Sequence, residues 1–264
     1  MVTYGYKPEG GTNLQQVTRG PLRACFVPSG PDHRLIVADY SQMELRVAAL
    51  VAGETVMIDA LRHGVDLHRT TAALALGKPL SEVTGADRQI AKSANFGLLY
   101  GMSAAGFALY ARTAYGVSLS RNEAEDLRDR FFRAYPGLRR WHIACHRKSE
   151  SRSNNNTRTI FGRLLVAQKD DHWARFNMLT EYVVSGSCAD LLKVAMVRID
   201  SAMPEDVPMV ATVHDELVFD TPIETAEFCR ALVEEKMREA FVEMFGDTVP
   251  VEVDAKVCSN WGEK

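Results

Sequence analysis

The sequence lacks most features that mark special classes of chain. Its 264 residues include five cysteines, Cys25, Cys145, Cys188, Cys229 and Cys258, scattered and with no C-x-x-C pair. Odd number and scatter argue against a disulfide framework and a thiolate zinc site, and for a reducing compartment. Ten prolines and 18 glycines are too few for a collagen-like or low-complexity chain. No apolar run approaches the roughly 18 residues that span a bilayer, so no membrane partner is expected. The opening residues Met1-Val2-Thr3-Tyr4-Gly5-Tyr6-Lys7 lack the charged-then-apolar pattern of a secretory signal peptide. A cytoplasmic protein is expected. No internal repeat is visible.

What remains is ordinary globular composition, 46% hydrophobic and 25% charged, enough for one large domain or two joined ones. The net charge of −3 hides a gradient. Arg121 to Arg163 carries 11 Lys/Arg against 5 Asp/Glu, and Asp200 to Lys264 carries 5 against 16. A basic segment and an acidic one suit a polyanion binder with a cation-holding site, and equally suit unselected surface charge.

Arg34-Leu35-Ile36-Val37-Ala38-Asp39 reads as a buried strand ending in a carboxylate. Helices are expected over 42–52, 66–76, 87–99, 121–134, 138–148, 171–203 (one or two) and 225–245. Residues 209–213 and 217–219 read as strands joined at His214-Asp215-Glu216, and 249–253 as a last strand. Residues 149–157 read as a polar loop. The order predicts an α+β fold, a small antiparallel sheet with helices and an inserted, mostly helical lobe. The expected division is 1–50 and 183–264 for the sheet region, 51–182 for the lobe.

Three features carry chemistry. Asp39 ends a strand, and Asp215-Glu216 lies in a hairpin turn. Each alone reads as a turn-forming acid. Together, two strands delivering carboxylates to one sheet edge can hold hard divalent cations, which accept oxygen ligands and substrate phosphates. The third is a helix in which Arg88, Lys92, Phe96 and Tyr100 follow at four-residue steps. Each step turns about 400°, so the stripe drifts only about 40° per step and stays on one face. Two cations and two aromatic rings suit a nucleoside triphosphate; a solvated basic edge beside core aromatics is the plainer reading. Gly97 and Gly101 each cost about 1 kcal/mol inside a helix, so a close approach or a bend is expected there.

These residues resemble a known family. Asp39-Tyr40-Ser41-Gln42-Met43-Glu44-Leu45-Arg46 is similar to the first catalytic motif of the family A (DNA polymerase I-like) DNA polymerases. Arg88-x-x-x-Lys92-x-x-x-Phe96-Gly97-x-x-Tyr100-Gly101 resembles their fingers helix, and Val213-His214-Asp215-Glu216-Leu217 their third motif. Asn13-Leu14-Gln15-Gln16, Asp66-x-His68, Phe161-Gly162-Arg163 and Asn260-Trp261 match as well, so the resemblance runs over roughly residues 12 to 264. It implies a right-hand palm sheet carrying a fingers lobe, acting on primer-template DNA and dNTPs with two Mg²⁺ ions, Mn²⁺ being an alternative.

By that resemblance Asp39 and Asp215 hold the metals, with Glu216 adjacent and the Tyr40 carbonyl assisting. Arg88 and Lys92 hold the triphosphate, Lys92 also donating a proton to pyrophosphate, and His68 touches the phosphates. Phe96 packs on the incoming nucleotide, Gln42 lines its site, and Glu44 excludes a ribose 2′-hydroxyl. Tyr100 stacks near the template base, and Arg23, Gln15 and His214 contact DNA. Two departures stand out. Asn177, Glu181 and Ser185 occupy positions where the family presents Arg, Asn and Gln. The family's thumb and exonuclease regions have no counterpart in this sequence. That implies a minimal enzyme, one half of a split enzyme or a truncated product, with a separate thumb or exonuclease chain or a processivity factor as an expected partner. The alternatives are an RNA polymerase, which Glu44 disfavours, a non-catalytic binding module, and a two-metal phosphohydrolase.

Overall fold

The computed structural model describes residues 14, 17, 20–150, 156–166 and 172–264. In chain order the elements begin α1 (Pro21–Ala24), β1 (His33–Tyr40), α2 (Met43–Ala52), α3 (Thr55–Arg62), α4 (Leu67–Leu76) and α5 (Gly85–Leu99). They continue with α6 (Ala104–Tyr115), α7 (Arg121–Ala134), α8 (Pro136–Glu150), β2 (Asn156–Arg158) and β3 (Leu164–Val166). The last are α9 (His172–Asp200), β4 (Met209–Val213), β5 (Glu216–Pro222), α10 (Ala226–Phe245) and β6 (Val253–Cys258). The fold is α+β, and among the described residues no helix is long and apolar enough to cross a membrane.

Two compact units emerge. Met1–Met43, Cys188–Asp247 and Val251–Lys264 form one, Glu44–Ser187 and Thr248–Pro250 the other. The first is built on an antiparallel sheet of order β4-β5-β1-β6. The central strand β1 is Leu, Ile and Val-rich because both its faces are covered. Leu35 and Val37 pack with Val213, Val218, Cys258 and Trp261 on one face. Alternation sends Ile36, Ala38 and Tyr40 to the other, where α10 lies against β1 and β6. There the Tyr40 hydroxyl donates to the Met237 carbonyl at 2.7 Å.

The last strand begins at Val253, four residues later than the pattern predicts. Arg62 Nε donates to the Thr248 carbonyl at 2.7 Å and Arg46 donates to that of Pro250, so side chains take the acceptors a ladder would use. Pro250 also has no N–H to give.

In the second unit α4, α5, α6 and α7 pack on one another around Leu98, Phe107 and Phe131, all fully buried. Local chemistry sets the helix starts. Thr84 with Asp87, and Ser120 with Glu123, form capping boxes for α5 and α7. Glu54, fully buried, caps α3 through Val56 N–H and accepts from the Gly137 and Leu138 N–H groups that open α8. The short helices α3 and α6 and the hairpin β2–β3 are additions to the pattern read from sequence. α6 is Ala-rich with a Ser103 cap, and the hairpin falls partly on the expected 149–157 loop.

Candidate active site

The sheet edge of the first unit presents the carboxylates. Asp39 is the last position of β1 paired with β5, and its partner there is Glu216. Val213 pairs with Glu216, so His214-Asp215 is a two-residue hairpin loop with Asp215, half-exposed, at its tip. The loop holds His214 at φ 57°, and Gln42, three residues past Asp39, sits at φ 52°. Among the described residues these are the two non-glycine positions with positive φ. Such strain, about 1–2 kcal/mol for an L-residue, concentrates where side chains must be aimed. Both strained residues flank an expected metal carboxylate.

Asp39 already faces a cation. The Lys264 ammonium lies 3.1 Å from its Oδ1 and 3.2 Å from Asp254 Oδ2, with the lysine side chain almost wholly buried. Gln42 Oε1 is buried with no hydrogen-bond partner among the described residues. Glu216, opposite Asp39, has partners of its own. Its carboxylate is buried, accepts from Trp261 Nε1 at 2.5 Å and lies 3.6 Å from Arg23 Nη1. Arg23 stacks 4.1 Å over the Trp261 ring and donates to the Val17 carbonyl. Glu216, Arg23 and the Trp261 ring thus hold one another. His214 is exposed. Gln15 lies outside the described residues.

The second unit carries the helix stripe. On α5, residues 91–100 are buried except Lys92, Phe96 and Tyr100, which are half-exposed, as is Arg88 one turn earlier. From residue 91 onward the stripe read from sequence is the open face of this helix, while Gln89 and Ile90 are half-exposed as well. Ala91, Ala94 and Leu98 are buried, as expected for the opposite side. Close packing explains both glycines. A Cβ on Gly97 would meet Phe107 at 3.0 Å and Tyr110 at 3.1 Å, and one on Gly101 would meet Phe176 Cζ at 2.7 Å, with φ at +81° besides.

Asp66 orders this face. Its Oδ1 caps α4 by accepting from His68 and Arg69 N–H, and its Oδ2 accepts from Arg88 Nε at 2.7 Å. Burial alone would raise this carboxyl, but Arg88 and the helix N–H groups outweigh it and hold it below the usual range. His68 is buried, its Nδ1 accepting from Asn95 Nδ2 at 2.8 Å, which leaves the ring proton on Nε2. A hydroxyl chain from Tyr135 through Thr71 to Asn95 continues the network. Burial, with Arg88 and Lys92 adding repulsion against the pull of Asp66, pushes His68 down to about 4. At neutral pH it is a neutral donor 5.8 Å from the Phe96 ring. Asn95 was hidden in the sequence; a polar residue among Ala91, Ala94 and Leu98 was the available signal.

Glu44, the expected sugar gate, is held by a second polar chain. The Ser185 hydroxyl donates to Glu44 Oε1 at 2.9 Å and lies 3.2 Å from the Tyr100 hydroxyl. Tyr100 is also held by its carbonyl, which accepts from Thr180. Of the two departures near Ser185, Asn177 is exposed and Glu181 half-exposed. Part of the basic stretch lines a cavity of about 620 Å³ in this unit, where Arg128, Arg133 and Arg139 meet Phe132, Trp173 and Phe176. The rest is partly self-neutralised, Arg121 by Glu125 and Arg130 by Asp126.

Residues 10–263 match the family model for DNA polymerase family A. The chain belongs to DNA polymerase family A. Family A relatives include DNA polymerase I of Aquifex aeolicus, 36% identical over 252 residues, which cover 94% of this chain and 42% of that protein. The thermostable DNA polymerase I of Thermus filiformis is 35% identical over 263 residues, 95% of this chain and 30% of its own length. Among solved structures, the POL domain of Pol1 from M. smegmatis, in complex with DNA primer-template and dNTP, matches with a TM-score of 0.80 at 29% identity. That match covers 95% of this chain and 44% of the other. The chain therefore spans less than half the length of each of these family A proteins.

Proposed function

We propose that the chain is the catalytic part of a template-directed DNA polymerase that adds deoxynucleotides from dNTPs to a primer 3′-hydroxyl. The observation that carries this reading is the second half of α5 and its cap, where Lys92, Phe96 and Tyr100 are the half-exposed positions among otherwise buried residues 91–100, in line with half-exposed Arg88. Cations on one half of the stripe suit a triphosphate, and rings on the other suit sugar and base.

The carboxylate edge fits divalent cations. Its donors are hard oxygens, and the Lys264 ammonium against Asp39 shows that the edge accepts positive charge. Asp39 and Asp215, with the Tyr40 carbonyl, would hold two Mg²⁺ or Mn²⁺ ions. When bound, such ions supply Lewis-acid stabilisation of the charge that develops in phosphoryl transfer. The chain's own groups do the rest. Arg88 and Lys92 grip the triphosphate, and Lys92 gives a proton to the departing pyrophosphate. The 3′-hydroxyl oxygen attacks the α-phosphorus and releases its proton to solvent, its bond to phosphorus forms as the bond to pyrophosphate breaks, and catalysis is mainly positioning and electrostatics. Neutral His68 offers its Nε2–H to the phosphates. Phe96 packs on the incoming nucleotide, Gln42 Oε1 supplies an acceptor awaiting a donor, and Glu44 bars a 2′-hydroxyl. Tyr100 and exposed His214 face the template and primer, and the arginine-lined cavity takes single-stranded template. Any thumb, exonuclease or processivity partner would come from beyond these residues.

Binding of a fluorescent dNTP with Mg²⁺ tests the reading. Arg88→Ala and Lys92→Ala each weaken it by tenfold or more, since each removes a charge-assisted phosphate contact worth about 1.5–3 kcal/mol. Wild-type affinity in both variants would refute the assignment.

A further inference from the structure

A second cluster of ligand-type side chains lies outside the carboxylate edge and the α5 stripe, beside the arginine-lined cavity. His146 and Glu150 stand one turn apart in the last turns of α8, and His172 opens α9. One ligand atom from each of the three lies within 4.8 Å of the others. We propose that His146, Glu150 and His172 form a transition-metal site, with Zn²⁺ as the ion their donor set suits.

Two imidazoles and one carboxylate are a borderline nitrogen and oxygen set, which favours Zn²⁺ over Mg²⁺ or Ca²⁺. Bonds of about 2.0–2.1 Å in a tetrahedral site place donors roughly 3.3 Å apart. His146 Nδ1 and Glu150 Oε1 are 3.7 Å apart, close to that spacing and too far for a hydrogen bond. The i, i+4 step puts them on one face of α8. His172 supplies the independent observation. Its Nε2 is buried and has no hydrogen-bond partner among the described residues. A buried ring nitrogen without a partner is what a metal would satisfy. The His146 and His172 rings meet edge to face, 4.7 Å between centroids, so a small rotation brings both nitrogens to one point. His146 also lines the arginine-bearing cavity and is half-exposed, and Glu150 is exposed, so an ion and a fourth, water ligand can enter.

Such a site would staple the end of α8 to the start of α9 and so close the base of the segment carrying β2 and β3. It also has a built-in reporter, because the Trp173 ring lies 5.2 Å from His172.

The test is titration of the full chain with Zn²⁺ and, separately, with Co²⁺, in excess Mg²⁺ to fill the Asp39 and Asp215 edge. The wild type is expected to bind one Zn²⁺ per chain and to give the visible absorption of low-coordinate Co²⁺, with tryptophan emission quenched. His146→Ala and His172→Ala are expected to weaken binding more than tenfold, because loss of even an outer-shell partner costs 10–100-fold. Glu150→Gln, at an exposed position that does not threaten folding, is expected to weaken it as well. The Asp39→Asn/Asp215→Asn double variant is expected to bind like the wild type, which separates this site from the polymerase reading. No stoichiometric binding, wild-type affinity in Glu150→Gln and His172→Ala, or binding that disappears only in the double variant would overturn the proposal.

Discussion

Gly97 and Gly101 sit four residues apart at the end of α5, yet alanine should affect them very differently. At Gly101 the backbone has φ +81°, and a Cβ would meet Phe176 Cζ at 2.7 Å. An L-residue in that conformation costs about 1–2 kcal/mol. Phe176 is itself buried against Cys145 and Leu179, so it cannot simply swing away, and overpacking adds about 1–3 kcal/mol. Gly101→Ala should therefore cost about 2–5 kcal/mol. At Gly97 the backbone is helical, so alanine recovers about 1 kcal/mol of propensity against contacts of 3.0 and 3.1 Å. Its net cost should be about 0–2 kcal/mol. Thermal melts followed by far-UV circular dichroism read the difference. At about 2–4 °C per kcal/mol, Gly101→Ala should melt at least about 4 °C below wild type and below Gly97→Ala. It should also weaken dNTP selection, since Gly101 follows directly on Tyr100. A Gly101→Ala protein as stable as wild type, or more stable than Gly97→Ala, would refute the packing argument.

Other perturbations probe other links. Glu54→Ala strips the acceptor from three N–H groups at the starts of α3 and α8 and should cost about 3 kcal/mol, read as a lower urea midpoint; an unchanged midpoint contradicts the double cap. Burial pushes His68 and His142 down to about 4 each, so the unfolded chain binds protons that the fold refuses between about pH 6.5 and 4. Stability should fall as pH drops through that window and stay level above it, and a urea midpoint that holds or rises on acidification refutes this. Lys264→Ala removes the ammonium at Asp39, so primer extension should saturate at several-fold lower Mg²⁺; a higher requirement would show that the lysine helps the edge. Glu44→Ala should admit ribonucleotides, and Ser185→Ala should do so partially by releasing the Glu44 carboxylate, both measured by the dNTP-to-rNTP incorporation ratio.

Strong periodicity made the helices and the sheet strands legible. The buried run 34–39 and the hairpin at 214–216 announced themselves through apolar patterning and turn chemistry. The α5 stripe was legible because four-residue steps survive the helix's rotation with little drift. Short elements were not. α3 has only eight residues and is opened by Glu54, an unusual cap whose reach to Gly137 spans 83 positions. β6 was misplaced because its start depends on Arg46 and Arg62, which lie far away in sequence. The same holds at the site. Asp39, Asp215, Arg88 and Lys92 are motif residues, whereas the contacts by which Trp261, Ser185 and Asn95 hold Glu216, Glu44 and His68 are set by tertiary packing. Lys264 beside Asp39 had no local signal at all.

The central claim, templated nucleotidyl transfer at the Asp39–Asp215 edge, is tested most directly by single-nucleotide primer extension. Purified chain, a labelled primer-template and Mg²⁺ at low salt would be offered each dNTP in turn, with Asp215→Asn in parallel. The wild type is expected to add the complementary nucleotide and Asp215→Asn to stay at background, with an unchanged circular dichroism spectrum. Equal addition by the variant, or addition that ignores the template base, would contradict it.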